Sequence, residues 1–134
     1  MQLSPLLEML LRLLLAAALG AAIGYERERH GKAAGLRDHI LISVGAALFT
    51  LASIFGFGAG ADSSRVAAGV VAGVGFIGAG VIFRGGEGVA GITTAASIWV
   101  AAAIGLAAGA GLYLISAAAT AITVGILLIP KTRD

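Results

Sequence analysis

Residues Gly69–Gly86 read GVVAGVGFIGAGVIFRGG. Inside this stretch, Gly73-Val-Gly75-Phe-Ile-Gly78 matches G-x-G-x-x-G, the glycine pattern of a dinucleotide-binding turn. That turn needs a strand before it, a helix after it and an acidic residue about 20 positions on. Here the motif lies inside an uncharged run, Val66–Phe83, and the residues near Ile98 belong to another apolar run. The glycines therefore read as part of a helix. At about 100° per residue, Gly69, Gly73, Gly80 and Arg84 fall near one face, and Gly75 and Gly78 near the opposite one. Between helices in lipid there is no hydrophobic drive, and small residues that allow close approach take its place. Gly69, Gly73, Gly75, Gly78 and Gly80 are read as helix contacts. Their helix is expected at the centre of a bundle, or against its own protomer on one face and a second protomer on the other. Gly20-x-x-x-Gly24 and Gly105-x-x-x-Gly109 repeat the pattern.

Composition agrees with a membrane setting. Of 134 residues, 59% are hydrophobic and 12% charged, and the mean hydropathy is +1.02. About a quarter of the residues of a soluble domain are charged. Ile40–Ala61 carries no charge, and neither do the 43 residues from Gly88 to Pro130. As one helix that last run would be about 65 Å long, twice the ~30 Å of hydrocarbon, so it must fold back, most simply at Gly109-Ala-Gly111. The expectation is an all-α, polytopic bundle of five transmembrane helices in a single domain, 1–134, with spans near 6–25, 40–57, 66–83, 92–108 and 112–129.

Lysine and arginine set the orientation. Arg27, Arg29, Lys32 and Arg37 lie between the first two spans, Arg84 follows the third, and Lys131 and Arg133 follow the fifth. The other side holds Arg65 and Arg12. Positive residues favour the cytoplasm, so the N-terminus is expected outside and the C-terminus inside. The basic cluster follows the first apolar stretch, whereas in a signal peptide it precedes it, so the first span is read as retained. Ser4-Pro5 is a helix start, a capping serine followed by proline.

Few groups carry chemistry. Cysteine is absent, which removes disulfides, thiolate zinc sites and cysteine nucleophiles. No nucleophile–base pair and no Walker lysine are legible, so no enzyme is expected. Glu8 and Arg12 are spaced to pair across one helical turn. Glu26, Glu28 and Asp38 offer oxygen ligands for a hard cation, but four basic residues surround them, and a solvated loop meeting anionic lipid is the simpler reading. His30 and His39 lack partners at zinc-ligand spacing. Asp62 or Ser63 can cap the third helix, and Asp62 can pair with Arg65. Gly85, Gly86 and Gly88 read as a flexible turn in which Arg84 and Glu87 are close enough to pair. Thr93 and Thr94 open the fourth span. Trp99 falls mid-span, where it is expected to pack inside the protein.

Three stretches in order, GYERERHGKAAGLRDHILISVGAAL, DSSRVAAGVVAGVGFIGAGVIFR and GITTAASIWVAAAIGLAAGAGLY, resemble the membrane domain of the MgtC/SapB family of bacterial inner-membrane proteins. The similarity covers about residues 8–125. The family pattern is kept at Gly24, Glu26, Arg27, Ala34–Arg37, Asp62, Arg65, Gly75, Phe76, Gly78, Gly80, Gly91, Thr93 and Thr94. It departs at Asp38, where threonine is common, and at Val74, Ile77 and Ile92. Several members carry a further soluble domain, so a chain ending at Asp134 is expected to be a membrane-domain-only member or a truncation.

The resemblance implies a multi-pass protein of the bacterial inner membrane that serves magnesium homeostasis or low-magnesium adaptation, including inside host cells. The expected mode is regulation through membrane-protein partners, with ATP synthase a candidate. The alternative is a transporter or channel for magnesium or a small solute. A homo-oligomer is expected, a dimer foremost, in contact with membrane lipid and not with nucleic acid. No cofactor is expected beyond magnesium as a candidate ion. Glu26, Arg27, Arg37 and Asp38 are the expected cytoplasmic working surface, with Arg84 and Glu87 beside it. Asp62, Arg65, Thr93 and Thr94 are the residues of a polar or ion path, should one exist.

Overall fold

The computed structural model describes residues 4–85 and 88–130, with backbone only over 83–85. Helix α1 spans Pro5–Arg29. Its start is set locally: the Ser4 Oγ accepts from the Leu7 N–H at 3.2 Å, with proline at the first position. Gly31, at φ +69°, reverses the chain, and α2 runs over Leu36–Phe55. Asp38 closes its first turn by accepting the Gly35 N–H at 2.9 Å. Helix α3 spans Ser64–Val81, α4 Ile92–Gly109 and α5 Tyr113–Leu127. Gly111, at φ +90°, makes the expected reversal between α4 and α5.

All five expected helices are present. Four of them, α1 to α4, are long and apolar enough to cross a membrane. With 15 residues α5 is shorter than the 112–129 span read from sequence, yet it runs the length of the bundle, from Tyr113 beside Glu8 to Ile126–Pro130 beside Glu26. The turn after α3 differs from its reading. Phe83–Gly85 (β1) pairs antiparallel with Gly88–Ala90 (β2), Arg84 opposite Val89. Glu87 lies outside the described residues, and so does any pair it makes with Arg84.

The centre of the bundle is α4, not α3. Half of the apolar window of α4 is buried, against 17% for α3. Helices α1, α2 and α4 form an inner trio, with α5 against α1 and α4, and α3 mainly against α4. Contacts between His39 and Ser97 and between Ala47 and Gly109 show that α2 and α4 run parallel. Contact of Arg12 with Gly109 shows that α1 runs against them.

Glycine permits the inner trio to close. A Cβ on Gly20 would lie 2.7 Å from the His39 carbonyl oxygen, and one on Gly24 would lie 2.7 Å from Leu36 Cα. On α4, a Cβ on Gly105 would collide with the Ser43 backbone, and one on Gly109 would lie 2.7 Å from the Ala47 carbonyl oxygen. Among the fully buried residues near these glycines are Ala16, Ala47, Ala101 and Ala108, with Ile23 and Ile104 as the larger members.

The glycines of α3 behave differently. Gly78 meets Ala95 at an ordinary 3.7 Å, and a Cβ on Gly69, Gly73, Gly75 or Gly80 would meet nothing within 4 Å. Within the protomer, only Gly78 of the five expected contacts touches a neighbour. Gly69 and Gly73 line an open groove between α3 and α2, and Phe76 is 83% exposed. Trp99 also faces outward, 55% exposed, rather than into the protein, because α4 turns its alanine and glycine face to α1 and α2.

A pair of substitutions separates the two glycine sets. Gly105→Val should lose at least about 1–3 kcal/mol through overpacking. Gly73→Ala should be neutral or gain up to about 1 kcal/mol of helix propensity. Thermal unfolding of the purified chain in detergent reads both. Equal damage at the two positions would contradict this architecture.

Candidate functional site

Charged groups gather at the two ends of the bundle. At the end where α1 begins, Arg12 Nε donates to the Glu8 carboxylate at 3.0 Å, as its i,i+4 spacing suggests. The same guanidinium donates to the Gly109 carbonyl at 3.0 Å and lies over the Phe55 ring, 5.6 Å from its centre. The Tyr113 hydroxyl donates to Glu8. This cluster ties the start of α1 to the α4–α5 turn and to the end of α2. Asp62 and Arg65 stand near this end, exposed. Asp62 accepts from the Ser64 hydroxyl at 2.7 Å and the Ser64 N–H at 3.0 Å, which hold its carboxyl below its usual value. It is a turn-forming group.

At the opposite end, Glu26 and Arg27 are buried, at 6% and 3% exposure. They lie in the last turns of α1, where the helix meets the start of α4 and the end of α5. Glu26 Oε1 is 3.6 Å from an Arg27 guanidinium nitrogen, and Oε2 is 3.0 Å from His30 Nδ1. Even so, Glu26 Oε1 and Arg27 Nε are buried without a hydrogen-bond partner. Buried polar groups are nearly always bonded; the Ser43 hydroxyl is orphaned too, in the middle of the bundle, but Glu26 and Arg27 are charged and line a pocket. That pocket, of about 680 Å³, is also walled by Lys32 and His30, by Gly91 just before α4, by Thr93 and Thr94 in its first turn, and by Ile126–Pro130.

Gly91 fits where no side chain would. It holds φ +90°, with the Val81 carbonyl where a Cβ would be. This brings the first turn of α4 down to the pocket floor. A second polar group lies just inside. His39 Nε2 is 2.9 Å from Ser97 Oγ, whose hydroxyl also reaches the Thr94 carbonyl at 2.7 Å, and His39 Nδ1 is 2.8 Å from the Gly35 carbonyl.

The residues expected to work together divide into separate places. Glu26 and Arg27 share the pocket with Thr93 and Thr94. Arg37 and Asp38 lie outside it, exposed on the first turn of α2. Asp62 and Arg65 are at the far end of α3, about 27 Å of helix from Thr93 and Thr94. Sequence reading passed over Lys32, His30 and Ile126–Pro130 as pocket walls. The Glu26–His30 spacing of four was the available signal for His30, and none in the sequence brings α5 there.

The donor set does not suit resident magnesium. That ion takes oxygen ligands in near-octahedral array, and here one carboxylate faces Arg27 and Lys32. Among the described residues there is no group of three or more His, Cys, Asp or Glu that could hold a metal.

The sequence model of the MgtC family matches residues 13–133. The chain belongs to the MgtC family. It is similar to "Putative magnesium transporter YhiD" of Escherichia coli K12, 50% identical over 113 residues that cover 79% of this chain and 53% of that protein. It is also similar to Protein MgtC of Brucella abortus strain 2308, 47% identical over 115 residues, covering 83% of this chain and 47% of that protein. Protein MgtC of Salmonella typhimurium strain 14028s is 46% identical over 101 residues, covering 75% and 42%. The chain spans about half the length of the curated relatives it matches. No solved structure matches it. With four helices of spanning length, this MgtC-family chain is a multi-pass membrane protein.

The buried pair yields a test. Glu26→Ala leaves the Arg27 charge buried and uncompensated and should lose about 3–5 kcal/mol. Adding Arg27→Met should recover most of that loss. Thermal unfolding of the single and double variants reads it, and a double variant no more stable than the single would contradict a charge pair.

Proposed function

We propose that this chain is a bacterial inner-membrane protein of magnesium homeostasis or low-magnesium adaptation. It acts by engaging other membrane proteins, not by catalysing a reaction or conducting an ion. The N-terminus is outside, and the Glu26–Arg27 pocket opens to the cytoplasm, the side that the basic residues favour. Magnesium enters through the relatives, one of which carries it in its name.

The observation that carries the non-conducting reading is the closed layer between the two charged ends. There Gly105 sits on the Ser43 backbone and Gly109 on Ala47, and Ala16, Ala101 and Ala108 are wholly buried. The buried hydroxyls of Thr50, Ser97, Ser116 and Thr120 bond to carbonyls of their own helices, and the Ser43 hydroxyl, which has no partner among the described residues, is fully buried beside Gly20. The outward glycines of α3 and its exposed Phe76 leave one lateral face for a partner, with a second copy or ATP synthase as candidates.

Magnesium flux into proteoliposomes with a trapped indicator dye checks this. Folded, inserted protein should give flux no greater than empty liposomes. Flux above that level, abolished by Glu26→Gln, would establish the transporter reading instead.

A further inference from the structure

The inner pocket contains two buried groups of opposite sign, each lacking a hydrogen-bond partner: Arg27 Nε and Glu26 Oε1. Among the described residues that line the pocket, two fixed positive groups, Arg27 and Lys32, stand against the single carboxylate of Glu26. The first turn of α4 also reaches this pocket. It begins an 18-residue helix with no acidic residue in its first turn and no side-chain cap. A helix start carries about half a positive charge and aims backbone N–H groups outward. Alone it would be an ordinary helix end. The buried Arg27 side chain beside it, 4% exposed and with an unused donor, makes it one wall of a built site.

We propose that this pocket binds a phosphate group with at most one ester bond, as the phosphomonoester headgroup of a lipid or as free phosphate. A tetrahedral anion can accept from several directions at once, as donors from α1, the Lys32 loop and the α4 turn require. The Glu26 oxygen adds a condition: it needs a donor. A phosphomonoester that keeps one proton supplies a P–OH to Glu26 while its other oxygens accept from Arg27 and Lys32. Sulfate and phosphodiesters have no such proton near neutral pH. The volume of about 680 Å³ accommodates a headgroup, and Ile126–Ile129 give the pocket an apolar side on which an acyl glycerol can lie. The inference is independent of whether the protein conducts magnesium.

The test uses the full chain in phosphatidylcholine nanodiscs, with thermal unfolding followed by Trp99 fluorescence. One series titrates inorganic phosphate against sulfate. The other replaces part of the lipid by phosphatidic acid or by phosphatidylglycerol. The expected result is saturable stabilisation by phosphate, by phosphatidic acid or by both, with sulfate and phosphatidylglycerol inert. Stabilisation by phosphate identifies a soluble ligand, and stabilisation by phosphatidic acid alone a lipid one. Lys32→Ala, at an exposed position that should not disturb folding, should weaken the effective ligand about tenfold, the loss of one charged contact. Arg27→Gln should weaken it further where it folds. Absence of saturable stabilisation of the folded wild type, equal stabilisation by sulfate or phosphatidylglycerol, or unchanged affinity in Lys32→Ala would each overturn the proposal.

Discussion

Backbone contact between helices is the constraint on which the rest of this structure depends. In lipid, helices gain nothing from burying leucine against leucine, so association rests on how closely backbones approach. Here α1, α2 and α4 approach where Gly20, Gly24, Gly105 and Gly109 remove the side chains between them. Everything else is arranged around that trio. Many large apolar residues are turned outward, including Leu14, Phe49, Phe76 and Trp99, while the interior combines alanine, glycine and serine with a few larger residues such as Ile23, Ile98 and Ile104.

A closed middle leaves the charged groups at the ends. One end holds a satisfied cluster, in which Arg12 uses Glu8, the Gly109 carbonyl and the Phe55 ring. The other holds Glu26 and Arg27, equally well placed but incompletely bonded. That asymmetry separates a structural clasp from a site. The clasp has partners for its groups within the fold. The site keeps buried donors and acceptors whose partners must come from water or a ligand.

The fold was legible in the sequence because its governing signals are local. Long uncharged runs give the helices, Ser4-Pro5 the first start, and Gly109-Ala-Gly111 the last reversal. The position of each helix was not legible. Gly73-x-Gly75-x-x-Gly78 looks denser than Gly105-x-x-x-Gly109, yet α4 takes the centre and α3 the edge, because glycine permits close approach without specifying which neighbour makes it. The site was half legible. Glu26, Arg27, Thr93 and Thr94 came from the family pattern and do meet. Arg37 and Asp38 seemed to belong with them by sequence distance, but the Gly31–Gly35 turn carries them to the outside of α2. The α5 wall came from tertiary contact alone.

The central claim is that no continuous water path joins the two ends. The chain contains no cysteine, so single cysteines can be placed without background and probed with a membrane-impermeant maleimide from either side. The account predicts that Lys32→Cys labels from one side only, Asp62→Cys from the opposite side only, and Ala101→Cys, in the closed layer, from neither. Labelling of Ala101→Cys by the aqueous reagent in a folded, membrane-inserted protein would show water in the middle of the bundle and contradict it.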